Sequence, residues 1–397
     1  MRMLHVVTAF PRTSDDVITP WLVELLQRLR TAGHDVAVFT AAYRGLGDHV
    51  FAGIPVYRFR YFLRRWENLT HEETATDRMG RSLLYRILPL FYVVAGMVAI
   101  WRHCRRQRYD VLHVHWPFPL ALWGWAAQRA HPTPLVTTFY GAELRLVRGS
   151  LPFLKPLLAW AARRADQVVA ISSYTAAQVR EVAKVPVSVI PYTTSLTKPT
   201  VQSRPAGAPF TVLFVGRLVE RKGVVHLVDA MSLPPLAPAA RLVVVGEGPE
   251  RGAIEAQIRA LGLDGRVIVR GQVSDAALQE AYVSADALAL PAIFDHRGDT
   301  EGLGVVLLEA MNHGVPVVGS RIGGIPDIVE DEVSGLLVPP GDAPALARAL
   351  ARVRDDPALA RRLAEAGRRA LVERFSWDAI LARWEAVYAA VMPARRP

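Results

Sequence analysis

The feature that most limits how this chain can fold is a series of short Val/Ile/Leu runs, alternating with longer amphipathic stretches, that stops and then begins again. The first series holds Met3 to Thr8, Val36 to Thr40, Val111 to His115, Leu135 to Phe139, Val168 to Ile171 and Val187 to Ile190. The second holds Thr211 to Val215, Leu242 to Val245, Val267 to Val269, Ala287 to Leu290, Val315 to Val318 and Leu336 to Val338. Runs this rich in apolar residues belong to strands buried on both faces, so each series implies a parallel sheet covered by helices. Between them Pro191, Pro199, Pro205 and Pro209 stand among Ser and Thr, the composition of an interdomain linker. Two doubly wound α/β domains are therefore expected, over 1–196 and 197–373, followed by a helical segment over 374–397. The apolar stripe Phe375, Trp377, Ile380 and Trp384 should serve as core. Ligands of open α/β sheets bind beyond the carboxyl ends of the strands, so the chemistry is expected in a cleft that hinge motion at the linker closes.

The 397 residues, 51% of them apolar, suffice for two such cores. The one cysteine, Cys104, excludes an internal disulfide and a cysteine zinc cluster, and suits a reducing cytosol. Net charge is +10, and all of the excess lies in residues 1–196, with 24 Lys/Arg against 13 Asp/Glu. A basic half suits an anionic partner such as a phospholipid surface or a phosphorylated acceptor; nucleic-acid binding would explain this half and little else. Met1 to Phe10 reads as a first strand rather than a targeting segment. The uncharged run Ile87 to Trp101 is fifteen residues and falls short of the roughly 20 that span a bilayer. It is expected to be a core helix, although Trp101, Arg102, Arg105, Arg106 and Arg108 behind it also suit a membrane interface.

The residues richest in chemistry follow two strands of the second series. After Val215 come Gly216, Arg217, Leu218, Val219, Glu220, Arg221, Lys222 and Gly223, leading into a helix. Glycines free the backbone, a helix start offers unpaired N–H groups, and Arg217 and Lys222 supply charge: this is what a diphosphate needs. After Leu290 comes Asp299, Thr300, Glu301, Gly302, Leu303, Gly304, Val305, Val306, Leu307, Leu308 and Glu309. With a helix starting near Gly304, Glu301 stays on the loop to accept bonds from sugar hydroxyls. The amides around Leu303 to Val305 face phosphate or sugar oxygens, and Glu309, between one and two turns in, reaches a ribose diol. In the first half, His113 and His115 share one face of their strand. They are read as acceptor-side or core residues and not as metal ligands, because no third partner is evident.

In the order and spacing of Gly216 to Gly223, Gly246 to Pro249, Gly271 to Val273, Glu301 to Met311, Gly323 to Asp327 and Gly335 to Asp342, the chain resembles glycosyltransferase family 4 over nearly its whole length. The resemblance implies the GT-B fold, two Rossmann-like domains facing a central cleft with the C-terminal helix crossing back to the first. It also implies a retaining transfer of a hexose-type sugar from a UDP- or GDP-sugar to a saccharide or lipid-linked acceptor. Arg217, Lys222 and Glu301 would then be catalytic. Gly216, Gly246, Gly248, Gly271, Val273, Gly302, Leu303, Gly304, Val305 and Glu309 would bind donor, with Gly271 to Val273 against the base. No metal or other cofactor is expected. Two departures stand out: Phe10, Pro11, Arg12, Thr13, Ser14, Asp15 and Asp16 stand where the family often has a paired-glycine loop, and Tyr140 replaces a histidine before Gly141. Tyr140, His115 and Arg12 are the acceptor-side candidates. The implied location is cytoplasmic, peripheral on the inner face of the plasma membrane, in cell-surface polysaccharide or glycolipid synthesis. Competing readings are glycosylation of a soluble small molecule, a nucleotide-sugar epimerase or phosphorylase, and a non-catalytic binding protein. A dinucleotide oxidoreductase is disfavoured, because no strand ends in a well-formed Gly-x-Gly-x-x-Gly.

Overall fold

The computed structural model describes residues 1–13, 16, 18–70, 82–149, 151–193 and 208–392. Most of the predicted linker, 194–207, lies outside them, as do the expected boundary at 196/197 and Ser14 and Asp15 of the first loop. The contacts divide the chain into two compact units. One comprises Met1–Ile171, Thr175–Tyr192 and Ile380–Pro397, the other Ser172–Tyr174 and Thr193–Ala379.

The first unit carries strands β1 (Arg2–Val6), β2 (Asp35–Ala41), β3 (His49–Phe51), β4 (Ile54–Phe59), β5 (Val111–His115), β6 (Leu135–Phe139), β7 (Gln167–Ala170) and β8 (Ser188–Val189). Their order in the sheet is β3-β4-β2-β1-β5-β6-β7-β8, parallel except for β3 against β4. The helices between them are α1 (Pro20–Thr31), α2 (Leu83–Arg106), α3 (Pro117–Ala130), α4 (Ala142–Arg148), α5 (Lys155–Arg164) and α6 (Ser173–Ala183). Strand order reverses between β1 and β5, so the loops leaving those two strands flank the crevice where such sheets bind ligands.

The second unit is a six-stranded, wholly parallel sheet in the order β11-β10-β9-β12-β13-β14. Its strands are β9 (Phe210–Val215), β10 (Ala240–Val245), β11 (Val267–Gly271), β12 (Ala287–Leu290), β13 (Val317–Ser320) and β14 (Leu336–Val338). Counted from β9 this is the 3-2-1-4-5-6 order of dinucleotide-binding domains, with its reversal between β9 and β12. The helices are α7 (Val224–Ser232), α8 (Arg251–Ala260), α9 (Asp275–Val283), α10 (Val305–Asn312), α11 (Ile325–Ile328), α12 (Ala343–Asp355) and α13 (Pro357–Ala370). The last helix, α14 (Trp377–Val391), returns to the first unit: Tyr388 is buried there with its hydroxyl 2.8 Å from His113 Nδ1. Phe375, Trp377, Ile380 and Trp384 are all buried, so the apolar stripe is core.

Two observations go beyond the sequence reading. Strands β3 and β4 have no counterpart among the predicted runs; they form a hairpin whose two turn residues, Ala52 and Gly53, both have positive φ. The run Ile87 to Trp101 is part of the 24-residue helix α2, and it is core on one face only. Leu88, Tyr92, Ile100 and Cys104 are buried, and Gly96 admits Trp123 so closely that a methyl group there would overlap the indole. Trp123 in turn donates to the Val93 carbonyl at 3.0 Å, which satisfies its one polar atom inside the core.

Candidate functional site

At the reversal in the second sheet, β9 exits through Gly216 into a short 3-10 turn, Glu220–Lys222, and α7 begins after Gly223 in the left-handed region (φ 65°). A Cβ on Gly223 would overlap the Pro291 carbonyl of the loop leaving β12, and one on Gly246 would overlap the Gly216 carbonyl. These positions bring the carboxyl-end loops of β9, β10 and β12 together with only backbone between them. Gly248 likewise abuts the Leu218 carbonyl, and the Gly246 amide bonds the Gly271 carbonyl at 2.9 Å, so Gly271 and half-buried Val273 border the same loops.

The ionic groups sit on this frame. Lys222 Nζ reaches Glu301 Oε2 at 2.5 Å, with both side chains nearly buried. Burial alone would raise the Glu301 carboxyl, but Lys222, then Arg221 and the Leu303 amide, outweigh it and hold the group below the usual carboxylate range. Glu301 is thus an anion kept beside a cation, and a ligand phosphate reaching Lys222 would share that charge. Arg217, next to Gly216, is exposed, and Arg221 lies 3.7 Å from Asp299. Asp299 belongs to a polar loop closed on itself, its amide bonding Asp295 at 2.8 Å, while His296 bonds Glu220.

Helix α10 starts at Val305, with Gly304 as its left-handed N-cap (φ 97°), which is where the sequence places it. Gly302 and Leu303 therefore sit on the entry turn, and Glu309 lies four residues past the first helical residue. Tyr282, at the end of α9, donates its hydroxyl to Glu309 Oε2 at 2.5 Å. Burial raises the Glu309 carboxyl above its ordinary value, and neither the Tyr282 bond nor the Lys222 charge cancels that shift. Tyr282 carries no motif and its partner is 27 residues away, so only the fold reveals it.

The first unit fills its own reversal differently. Pairing of β1 with β5 sets His5 opposite His113, so the third histidine missed in the sequence comes from the adjacent strand. His5, His113 and His115 are wholly buried, with candidate ligand atoms all within 4.8 Å of one another. Five of their six ring nitrogens are bonded inside the protein, and His5 Nε2 is buried without a partner among the described residues. His5 Nδ1 meets His115 Nε2 at 3.1 Å, and His113 uses both nitrogens, on Tyr388 and Thr138 at 2.8 Å each. Burial drives His5 down to about 3 and lowers the other two, so all three are neutral.

His115 has no surface, which corrects the expectation that it touches an acceptor. Its Nδ1 instead holds the Tyr140 hydroxyl at 2.7 Å. Tyr140 stacks on Trp116 with ring centroids 4.5 Å apart, and Trp21 lies 5.2 Å from Tyr140 and 5.1 Å from Tyr192. These four rings are half-buried. Below them Glu143 accepts the Tyr140 amide at 2.9 Å, and burial pushes its carboxyl up to about 7. Arg12 is held by Asp16 at 2.6 Å and lies over the Tyr43 ring, while buried Arg58 ties down the Phe10 carbonyl at 2.9 Å.

Residues 200–370 match the family model described as Glycosyl transferases group 1, and residues 20–196 match the one described as Glycosyltransferase Family 4. The chain belongs to glycosyltransferase family 4. An uncharacterized glycosyltransferase of Methanocaldococcus jannaschii is 34% identical over 181 residues, 46% of this family 4 chain and 45% of that protein, so the match spans about half of either. N-acetyl-alpha-D-glucosaminyl L-malate synthase of Bacillus anthracis is 24% identical over 98% of the chain and 97% of its own length. Among solved structures, sucrose-phosphate synthase from Thermosynechococcus elongatus superposes with a TM-score of 0.75 at 24% identity, covering 98% of each chain. Anabaena HepE, in complex with UDP and glucose, gives 0.68 at 20% identity over 98% of this chain and 99% of its own. This family 4 glycosyltransferase thus has the GT-B fold.

Proposed function

We propose that the chain transfers a hexose-type sugar, with retention of anomeric configuration, from a UDP- or GDP-sugar to a hydroxyl of a saccharide or lipid-linked acceptor. The observation that carries this reading is the Lys222–Glu301 pair at the reversal of the second sheet, with Glu309 fixed by Tyr282 on the helix behind it. Glycosyl transfer needs a leaving diphosphate stabilised as its bond breaks, and preorganised cations and amides do this with little reorganisation. Lys222 and exposed Arg217 supply the charge, and the amides of Leu303 to Val305 supply donors. Glu301, kept ionised, accepts bonds from the sugar hydroxyls, and Glu309 accepts from the ribose. Neither glutamate is a nucleophile: the acceptor enters from the face the diphosphate leaves, and a donor phosphate oxygen takes its proton. With two cations assigned to the diphosphate, no metal is called for. The UDP and glucose of the HepE complex support a uridine donor in particular. We place the enzyme in the cytoplasm, peripheral to the inner face of the plasma membrane, on the strength of the basic first half.

A ligand that binds only the native state raises the unfolding midpoint, so thermal unfolding against a panel of nucleoside diphosphates and their sugars tests the donor assignment without an acceptor. A shift with UDP or GDP species that disappears in Lys222→Ala and shrinks in Glu309→Gln is expected. No shift with any nucleotide would overturn the reading.

A further inference from the structure

Helix α2 is apolar almost all round, and such helices are ordinarily covered on every side. Here the inner face is covered by Trp123 and the sheet, while Ile87, Leu90, Phe91, Val94 and Val98 are 41–64% exposed. At 100° per residue these five fall within one stripe, opposite buried Leu88, Tyr92, Gly96 and Ile100, and they run for about 16 Å along the axis. Phe91 contacts Phe62, with ring centroids 5.3 Å apart, and Leu63 beside it is exposed as well, so the patch extends beyond the helix. A contiguous exposed apolar area of this kind marks a surface that something covers.

The charges around the patch say what covers it. Leu83 to Arg106 contains no Asp or Glu, and Arg86 lies at one end of the stripe with exposed Arg102, Arg105 and Arg106 at the other. Arg105 sits over the Trp101 ring at 5.0 Å, an amphipathic pair at the edge of the apolar zone. Beside the last turn a polar cleft is lined by Arg102, Arg106, His103, Gln107, Tyr57 and a single carboxylate, Asp48. A second copy of this chain would set arginines against arginines in either orientation, with no acid on the helix to compensate. An anionic bilayer answers both features, taking apolar side chains below its headgroups and cations at their level.

We infer that the outer face of α2, from Ile87 to Arg106, is a docking surface for an anionic phospholipid bilayer, with the helix lying in the plane of the interface. Its length and composition would also suit a membrane-crossing helix. The inner face, however, is built into the core of the first unit and cannot be given up to lipid without dismantling that core. The inference rests on α2 alone and not on the donor site.

Flotation of the purified full chain with vesicles tests it. Vesicles of phosphatidylcholine containing about a third phosphatidylglycerol should carry the protein, and pure phosphatidylcholine should carry much less. Leu90→Ser with Val94→Ser should weaken binding by at least about tenfold, since two exposed apolar side chains no longer insert. Because both positions are exposed, the unfolding midpoint and the nucleotide-induced shift should match those of the parent chain, which separates failure here from failure of the donor assignment. Arg102→Gln with Arg105→Gln should abolish the preference for phosphatidylglycerol. Absence of vesicle binding, binding unchanged in the Leu90/Val94 variant, or a dimer in sedimentation that this variant dissociates would each overturn the proposal.

Discussion

At the reversal between β9 and β12 the loops are reduced to backbone, and a lysine is paired with a glutamate held ionised. At the reversal between β1 and β5 the same topological place holds Trp21, Trp116 and Tyr140 above three neutral histidines. The two sheets share their strand order around the break, so the topology alone does not separate them. What differs is which atoms line the loops. Bare amides and a cation match a diphosphate, whereas aromatic faces and a fixed phenol match an uncharged sugar ring. One fold used twice thus presents two chemistries, and the assignment of donor to the second unit rests on that contrast.

The largest expected effect breaks the contrast at its charged end. Lys222→Ala removes the cation and leaves Glu301 nearly buried without it, so transfer should fall by about 10³-fold, near 4 kcal/mol in the barrier. Steady-state kinetics with a saturating acceptor would check this. Gly246→Ala comes next, because its Cβ would overlap the Gly216 carbonyl and force two strand exits apart. A loss of about 3 kcal/mol in stability is expected from denaturant unfolding. The parallel change in the first unit, Gly141→Ala, meets nothing closer than 3.8 Å and is strained only through its φ of 96°, so it should cost less, about 1–2 kcal/mol.

Acid should act on the first unit. His5 is neutral in the fold with its pKa depressed to about 3, so the unfolded chain binds a proton the folded one refuses once pH drops below about 6.5. The associated stability is present above that pH and is lost as pH falls through it, about 2 kcal/mol by pH 5 for this one group. His113 and His115 shift the same way and add to it. His5→Gln should flatten the slope of stability against pH over 5 to 6.5 relative to the parent chain; an unchanged slope would mean the histidines are not the acid-sensitive element. Smaller again is Tyr282→Phe, which removes the hydroxyl that Glu309 accepts from and should weaken nucleoside diphosphate binding about tenfold by calorimetry. Tyr140→Phe should be the mildest, raising the acceptor KM several-fold, about 1 kcal/mol, with donor affinity unchanged.

Much of this was legible in the sequence because it is local. The start of α10 at Gly304, the run from Gly216 to Gly223 and the return of the C-terminal stripe to a core all follow from spacing and residue type. What escaped is long-range or conformationally unusual. Tyr282 finds Glu309 only because α9 and α10 flank one strand, and His5 joins His113 only through the register of β1 on β5. The β3–β4 hairpin turns on Ala52 at φ 50°, a residue that seldom supplies such a turn. Exposure also eludes composition: nothing in Ile87 to Trp101 says that one face of the helix is left uncovered, since both faces are apolar.

The most direct test of the two-chemistry account is amide hydrogen exchange on the full chain with and without UDP or GDP. Slowed exchange at 216–223, 246–248 and 301–309, with the segments 8–13, 115–118 and 140–143 unaffected, is the predicted result. Slowing in those first-unit segments while 216–223 and 301–309 exchange as before would contradict the account and move the donor to the other sheet.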